Sequence, residues 1–154
     1  MKQVPEAVAE FLSGHRVAVA GVSRFGAQPA NAILRRLRDA GHDVVPINPH
    51  ADSIEGSTCY RDLAAVPGVV DGLMVVTHPD VAEGLVRQAL ARGIRKIWFH
   101  RSFGQGSVSE PASRACAELG VQPMVGGCPL MYCEPVDAAR RCMRWWLGRQ
   151  GRVP

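Results

Sequence analysis

The sequence predicts an α/β fold: a Rossmann-like, doubly wound sheet of about five parallel strands flanked by helices, in a single domain over residues 1–154. Short apolar runs alternate with helical patterns along the chain, which is typical of a parallel sheet covered on both faces. Three helical patterns end on a glycine just before the next apolar run, at Gly41, Gly93 and Gly120. Glycine adopts the left-handed conformation that closes many helices, so these positions indicate helix C-termini.

The elements follow from this alternation. Apolar runs predict strands near residues 16–20, 43–47, 72–76, 95–99 and 121–125. Apolar residues at helical spacing predict helices near 4–13, 29–40, 80–92, 109–119 and 135–148. The core therefore spans 16–135, followed by a C-terminal helix. Residues 50–68 show no full helical pattern, only a turn or two at 62–66, and we predict a loop-rich flap that faces a ligand.

Composition narrows the functional classes. The chain has 154 residues, of which 47% are apolar and 21% charged, enough for one hydrophobic core. It has no long apolar run and no signal-like start, so we expect a cytoplasmic protein with no membrane partner. Its five cysteines are odd in number and scattered, so we expect reduced thiols and no metal site. The net charge of +4 is mild. Arginines cluster at 35–38 and 140–152, and we interpret both clusters as solvated helix faces rather than a nucleic-acid site.

The ends of the predicted strands carry small, polar and rigid residues. In an open parallel sheet, ligands bind beyond the carboxyl ends of the strands, where the strand order reverses. The residues at those ends predict the rim of a pocket. They are Gly21-Val22-Ser23, Asn48-Pro49-His50, Thr77-His78-Pro79, His100-Arg101-Ser102 and the run from Gly126 to Pro129.

The first of these turns suits a phosphate. A strand that stops at Gly21 and leads into a helix presents backbone N–H groups and the positive end of the helix dipole to an anion. Ser23 either donates to a phosphate or bonds its own turn, and Arg24 either neutralises a pyrophosphate or is solvated. Ser23 also interrupts the G-x-G-x-x-G pattern, and no acidic residue ends the second strand, so this is not an ordinary NAD site.

The remaining candidates each allow two interpretations. Asn48 and Pro49 either shape a base or ribose pocket or simply end a strand. His78 and His100 suit acid–base chemistry, but no carboxylate is close in sequence, and Thr77 or His78 can cap the helix that Pro79 begins, so we predict no catalytic centre. Cys128 is either a reactive thiol at the pocket, open to a mixed disulfide, or a buried cysteine.

From Arg16 to about Pro135 the chain resembles the small stand-alone CoA-binding proteins, whose fold is shared with the CoA-binding domain of succinyl-CoA synthetase α subunits. Two departures stand out: Val22 replaces a small alanine, and His100 to Gly104 replaces an apolar segment. The matching residues are the Gly21-Val22-Ser23 turn, Pro29, Asn48-Pro49, the Leu63-Val66-Pro67 and Val70-Asp71 run, Pro79, Trp98 and Cys128-Pro129.

This resemblance implies coenzyme A as ligand, with its pyrophosphate on Gly21 to Arg24 and its adenosine near Asn48-Pro49. Its pantetheine arm would then run toward Thr77, His78 and Pro79. The phosphorylated histidine of the synthetases lies in a further domain that this chain is too short to contain. We therefore expect a CoA-binding or acyl-CoA-binding accessory, carrier or sensor module. The implied ligand-binding residues are Gly21, Val22, Ser23, Arg24, Pro29, Asn48, Pro49, Thr77, His78, Pro79, His100, Cys128 and Pro129.

Two other classes stay open. An NAD(P)-dependent oxidoreductase or another nucleotide-using enzyme would need Arg24 or His50 to hold a 2′-phosphate. An interaction scaffold would use the C-terminal helix, where Val136, Ala139, Met143 and Trp146 share one face that Cys142 and Trp145 extend. The adjacent tryptophans either pack onto the sheet, which we favour, or form a homodimer contact.

Overall fold

A five-stranded parallel sheet forms the centre of the fold, as the sequence predicts, in a computed structural model that describes residues 4–101 and 105–154. The elements in chain order are α1 (Glu6–Leu12), β1 (Arg16–Ala20), α2 (Pro29–Asp39), β2 (Asp43–Ile47), β3 (Ser53–Ile54), β4 (Ser57–Thr58), β5 (Gly72–Val75), α3 (Pro79–Ala91), β6 (Lys96–Phe99), α4 (Glu110–Glu118), β7 (Met124–Val125) and α5 (Ala138–Arg149), with a 3₁₀ turn at Pro129–Met131. The strand order in the sheet is β2-β1-β5-β6-β7, and β3 pairs with β4 in a separate two-stranded antiparallel hairpin.

Helices cover both faces of the sheet. Ala18 and Ala20 of β1 pack on one side in a core that includes α3 and α4. Val17 and Val19 of the same strand point the other way, into a core shared with α1, α2 and Leu147 of α5. Successive residues of a strand point to opposite faces, so a strand buried on both sides must be apolar throughout. The doubly wound α/β fold class is confirmed.

The element bounds agree well with the sequence pattern except at the last strand. Gly41, Gly93 and Gly120 have φ angles of +94°, +77° and +65°, as helix-ending glycines should. The predicted strand 121–125 is wrong over its first three residues, because Pro123 has no N–H to donate to the ladder and pairing begins at Met124. The predicted helix 135–148 begins later, at Ala138, where the Asp137 side chain accepts a hydrogen bond from the Arg140 N–H at 2.8 Å.

Residues 50–68 contain no helix, as predicted, but they do contain the β3–β4 hairpin, which the sequence analysis missed. Its tip, Glu55, has a φ of +49°. Tyr60 then forms an isolated parallel bridge with Ile47 at the end of β2. The segment therefore stays close to the carboxyl edge of the sheet.

The arginines of α2 hold other segments of the chain, so their interpretation as a solvated face is wrong. Arg36 donates to the backbone oxygens of Cys133 and Pro135. Arg38 donates to Ser57 Oγ at 3.0 Å, and Arg35 forms an ion pair with Glu55. These contacts connect α2 to the hairpin and to the segment before α5.

The two adjacent tryptophans do not pack onto the sheet, which corrects the interpretation we favoured. Trp145 and Trp146 are 47% and 46% exposed, while Leu147 is fully buried. The inward stripe of α5 is formed by Met143 and Leu147, four residues apart, and this spacing leaves the tryptophans on the outer side. Within the described residues, no helix is long and apolar enough to cross a bilayer.

Candidate functional site

A cavity of about 540 Å³ lies beyond the carboxyl ends of β1, β2 and β5, and we name it the strand-end cavity. β1 lies between β2 and β5 in the sheet. The chain passes from β1 to β2 on one side, and then crosses back to form β5 on the other side. This switch point between β1 and β5 is where doubly wound sheets bind their ligands. The position of the cavity therefore agrees with the strand-end argument.

The predicted site residues separate into two groups. Those that line the strand-end cavity are Gly21, Val22, Asn48, Pro49, Thr77 and His78. Those that lie outside its lining are Ser23, Arg24, Pro29, Pro79, His100, Cys128 and Pro129. Ser23, Arg24 and Pro79 follow directly on lining residues or lie in the same loop, and Pro29 is the first residue of α2. His100 follows β6, and Cys128 and Pro129 follow β7. Both of these strands are farther from the switch point.

Gly21 is required by the close approach of two strand ends. Its φ is +100°, and a Cβ atom at this position would lie 2.4 Å from the backbone oxygen of Val76. An L side chain fits neither this conformation nor this space. The glycine thus lets the turn after β1 pass directly against the end of β5.

Ser23 and Asn31 fix the next part of the turn. The Ser23 N–H donates to Asn31 Oδ1 at 2.8 Å, and Asn31 Nδ2 donates to the Ser23 backbone oxygen at 2.7 Å and to Glu55 at 3.1 Å. Ser23 Oγ accepts from the Phe25 N–H at 3.1 Å, so the serine does bond its own turn. Asn31 is fully buried and was missed, although a polar residue within the apolar stripe of α2 is a signal for such a role.

Asn48 joins the end of β2 to the same turn. Its Nδ2 donates to the Val22 backbone oxygen at 2.8 Å, and its Oδ1 accepts from the His50 N–H at 2.7 Å. Both ends of the side-chain amide are engaged. Asn48 therefore ends β2 and also lines the cavity, and its role in a base or ribose pocket stays a prediction.

Thr77 and His78 form the edge of the cavity at β5. Thr77 Oγ1 is buried and has no hydrogen-bond partner among the described residues. A buried hydroxyl without a partner costs free energy, so it indicates a position that a bound polar group can satisfy. His78 caps α3 by accepting from the Asp80 N–H at 3.4 Å, and its ring also lies 3.1 Å from the Asp80 carboxylate.

The first two turns of α3 supply an apolar wall that the sequence analysis did not assign to the site. Val81 is 54% exposed and lines the cavity with Gly84 and Leu85. Nothing lies within 4 Å of the position that a Cβ at Gly84 would take. The helix therefore presents an open, nonpolar surface to the cavity.

The last part of the predicted flap, residues 61–68, borders the cavity, and Gln88 of α3 and Arg92 just after it hold this part in place. Arg61 and Asp62 belong to the lining. Gln88 Oε1 accepts from the Leu63 N–H at 2.9 Å, and Arg92 donates to the backbone oxygens of Leu63, Val66 and Gly68 at 2.5, 2.7 and 2.5 Å. One guanidinium thus fixes three carbonyl groups of the flap.

The ends of β6 and β7 have a different character. Burial lowers the pKa of His100 below its ordinary value of 6.5, so the imidazole is mainly neutral at neutral pH. Cys128 is 5% exposed, and burial raises its pKa to about 11, which keeps the thiol protonated and weakly nucleophilic. Of the two interpretations of Cys128, the buried cysteine agrees with the structure. Ser102 to Gly104, part of the basic segment noted in the sequence, lie outside the described residues.

These features define a Rossmann-like domain with a cavity at the switch point of its sheet, and comparison with known proteins gives the family. Residues 15–134 match the model of the CoA binding domain. The chain therefore belongs to the CoA-binding domain family.

Individual relatives agree with this assignment. The uncharacterized protein YneT of Bacillus subtilis is 26% identical over 105 residues, covering 68% of this chain and 75% of YneT. The ADP-forming acetate–CoA ligase of Methanocaldococcus jannaschii is 28% identical over 79 residues, which are 51% of this chain but only 11% of the ligase. A solved structure of a conserved hypothetical protein from Pyrococcus furiosus is 34% identical, with a TM-score of 0.63, and the match covers 71% of this chain and 90% of that one.

Proposed function

We propose that the protein binds coenzyme A or an acyl-CoA in the strand-end cavity and acts as an accessory, carrier or sensor module. The observation that carries the proposal is the unpartnered Thr77 hydroxyl, buried in a cavity at the switch point of a CoA-binding family fold. A ligand amide or hydroxyl placed against Thr77 Oγ1 would supply the missing hydrogen bond.

The apolar wall suits one part of the proposed ligand. Coenzyme A joins a flexible, mostly nonpolar pantetheine arm to a strongly anionic nucleotide. Val76, Val81 and Leu85 line the cavity beside Thr77, so an arm lying there would bury nonpolar surface and meet one polar group. This arrangement supports placing the pantetheine arm between β5 and α3.

The turn after β1 suits the phosphates. Ser23 Oγ accepts one hydrogen bond from the Phe25 N–H, which leaves the hydroxyl proton to donate to a phosphate oxygen. Arg24 is exposed on the same loop, next to the cavity lining, whereas Arg61 in the lining pairs with Asp62 at 3.9 Å. An exposed arginine beside the turn favours an anionic ligand there.

Asn48 gives no support to the alternative of an NAD(P)-dependent enzyme. NAD sites hold the ribose hydroxyls with an acidic residue at the end of the second strand. Asn48 occupies that place, and both ends of its amide are used within the protein. NAD and NADP are therefore the informative control ligands.

The first experiment is calorimetric titration of ligand-stripped protein with CoA, with NAD, NADP and ATP in parallel. We expect saturable binding of CoA, at least about ten-fold tighter than each control, which is a difference of about 1.4 kcal/mol. Tighter binding of NADP than of CoA would contradict the proposal and favour an oxidoreductase.

A matched pair of glycine variants tests the location. Gly84→Leu fills the strand-end cavity from α3, and because leucine favours helix by roughly 0.8 kcal/mol over glycine, the fold should be retained. We expect CoA affinity to fall at least about ten-fold. Gly148→Leu makes the same change on α5, outside this cavity, and should leave CoA affinity unchanged. If Gly84→Leu binds CoA as tightly as the parent, the strand-end cavity is not the site.

A further inference from the structure

A second cavity, of about 310 Å³, lies between α5 and the last residues of the chain, and we name it the α5 cavity. It shares no lining residue with the strand-end cavity. Its lining is rich in cationic and aromatic side chains, chiefly Arg141, Arg144, Trp145 and Arg149 of α5 together with Tyr132 and Val153. Its volume is at the lower end of the range for small-molecule sites, roughly 300–1,000 Å³.

The three arginines of the α5 cavity form no ion pair in the described part of the chain. The ion pairs of the structure include Arg140 with Asp137 on the same helix, but none that involves Arg141, Arg144 or Arg149. Positive charge is thus concentrated around one concave surface. A cleft lined by charge of one sign attracts ligands of the opposite sign.

The guanidinium groups are also held in place. Arg141 Nε donates to the Val136 backbone oxygen at 2.9 Å, and Arg144 Nη1 donates to the Met131 backbone oxygen at 2.8 Å. Arg149 stacks over the Trp145 ring at 4.8 Å. Fixed guanidinium groups lose little freedom when an anion binds, and each keeps further N–H donors to offer.

The rest of the lining is mostly neutral and nonpolar, and it indicates what the remainder of the ligand must be. The Tyr132 hydroxyl donates to the Pro154 backbone oxygen at 3.2 Å, and burial raises the pKa of Tyr132 to about 12, so the ring stays neutral. Pro5, Val153 and Trp145 add nonpolar surface. A ligand that matches both parts has a compact nonpolar or aromatic body and one anionic group.

We infer that the α5 cavity is a second binding site, separate from the strand-end cavity, for a small aromatic or nonpolar acid whose anionic group is a carboxylate or a phosphate monoester. Arg141, Arg144 and Arg149 bind the anionic group. Tyr132, Trp145 and Val153 contact the body. The inference stands on the residues of the α5 cavity and does not require the proposed function.

Phenyl phosphate and benzoate are the probes, with inorganic phosphate and benzyl alcohol as controls that each carry half of the required chemistry. Binding is followed by calorimetry and by the change in tryptophan fluorescence in a Trp146→Phe background, where only Trp145 of the α5 cavity and the fully buried Trp98 remain. We expect saturable binding of at least one of the two aromatic acids, with higher affinity than either control. The acid that binds more tightly identifies the preferred anionic group. Absence of saturable binding by both acids, or equal binding of benzyl alcohol, overturns the inference.

Variants locate the binding. Arg149→Gln should weaken the aromatic acid about ten-fold, as expected for the loss of one charge-assisted hydrogen bond. Arg140→Gln removes the same charge from the same helix outside the lining, and should change affinity less than two-fold. Equal weakening by the two variants would mean nonspecific attraction to a basic helix and would overturn the inference.

Crossed glycine variants separate the two cavities. Gly148→Leu fills the α5 cavity and should abolish binding of the aromatic acid, whereas Gly84→Leu should leave it unchanged. Saturating CoA should not displace the aromatic acid. Displacement by CoA would show that the α5 cavity is part of a CoA site and would overturn a separate second site, whatever the outcome of the CoA titration itself.

Discussion

The two cavities are lined by different kinds of residue. The strand-end cavity is formed by backbone turns and short side chains such as Gly21 and Asn48, which hydrogen bonds and close packing hold on several sides. The α5 cavity is formed mainly by long arginine side chains and a tryptophan ring of α5, together with Tyr132 and the last residues of the chain. A site of the first kind selects a ligand by shape, whereas a site of the second kind selects it by charge. Small changes should therefore matter much more at the strand-end cavity.

Gly21→Ala should have the largest effect on stability. The new Cβ would lie 2.4 Å from the Val76 oxygen at a positive φ, so we expect a loss of roughly 2–3 kcal/mol in the free energy of unfolding. Gly148→Ala, at a helical glycine of the α5 cavity, should cause no loss, because its nearest neighbour beyond the helix is 3.9 Å away. Urea denaturation measures both variants. Equal losses of stability in the two variants would contradict the view that the strand-end cavity is more tightly packed than the α5 cavity.

Arg92→Gln should come next in size. It removes the guanidinium that holds three carbonyl groups of the flap, and we expect a loss of about 2 kcal/mol in unfolding free energy together with weaker CoA binding. Arg87→Gln on the same helix removes an exposed ion pair with Glu83 and should change stability by less than about 0.5 kcal/mol. If Arg92→Gln weakens stability but not CoA binding, the flap is not part of the binding site.

The sheet and the strand-end turns could be predicted because they depend on local features. Apolar runs, helix-ending glycines such as Gly93, and the glycine turn after β1 each reflect a conformation that the nearby residues impose. Every parallel strand has a carboxyl end, however, and the sequence pattern does not show which ends lie at the switch point. The predicted rim therefore included His100 and Cys128, which follow β6 and β7 and do not line the cavity.

What the sequence did not reveal depends on contacts between distant segments. Asn31, Gln88 and Arg92 hold turns that lie between 8 and 29 positions away along the chain. Val81 fits the apolar stripe of α3, and only the position of the cavity decides that it faces a ligand rather than the core. The α5 cavity needs Tyr132 and the last residues to meet one face of α5, which no periodic pattern indicates.

Thr77→Val tests the key hydroxyl with a smaller expected change. Valine has nearly the shape of threonine, so removing an unpartnered hydroxyl should raise unfolding free energy by about 1 kcal/mol. CoA affinity should fall by roughly five-fold, because the ligand loses one hydrogen bond. Thr77→Ser keeps the hydroxyl and should retain most of the affinity. A loss of stability in Thr77→Val would mean that the hydroxyl already has a partner within the protein.

The smallest expected effect is the pH dependence contributed by His100. Burial lowers its folded-state pKa below the ordinary value of 6.5, so as the pH falls through 6.5 the unfolded chain takes up a proton before the folded protein does. The contribution of His100 to stability is therefore present above pH 6.5 and is lost below it, by less than about 1 kcal/mol between pH 7.5 and 6.0. Denaturation of the parent and of His100→Asn should show this difference in slope.

The α5 cavity should behave differently over the same pH range. Its positive charges are arginines, which stay protonated, and benzoate stays ionised, so benzoate affinity should be constant between pH 6.0 and 7.5. If benzoate affinity instead changed with pH over the range in which His100 titrates, protonation of His100 would be coupled to binding at the α5 cavity. Constant affinity beside a sloping stability curve would instead show that the strand edge and the α5 cavity respond to pH independently.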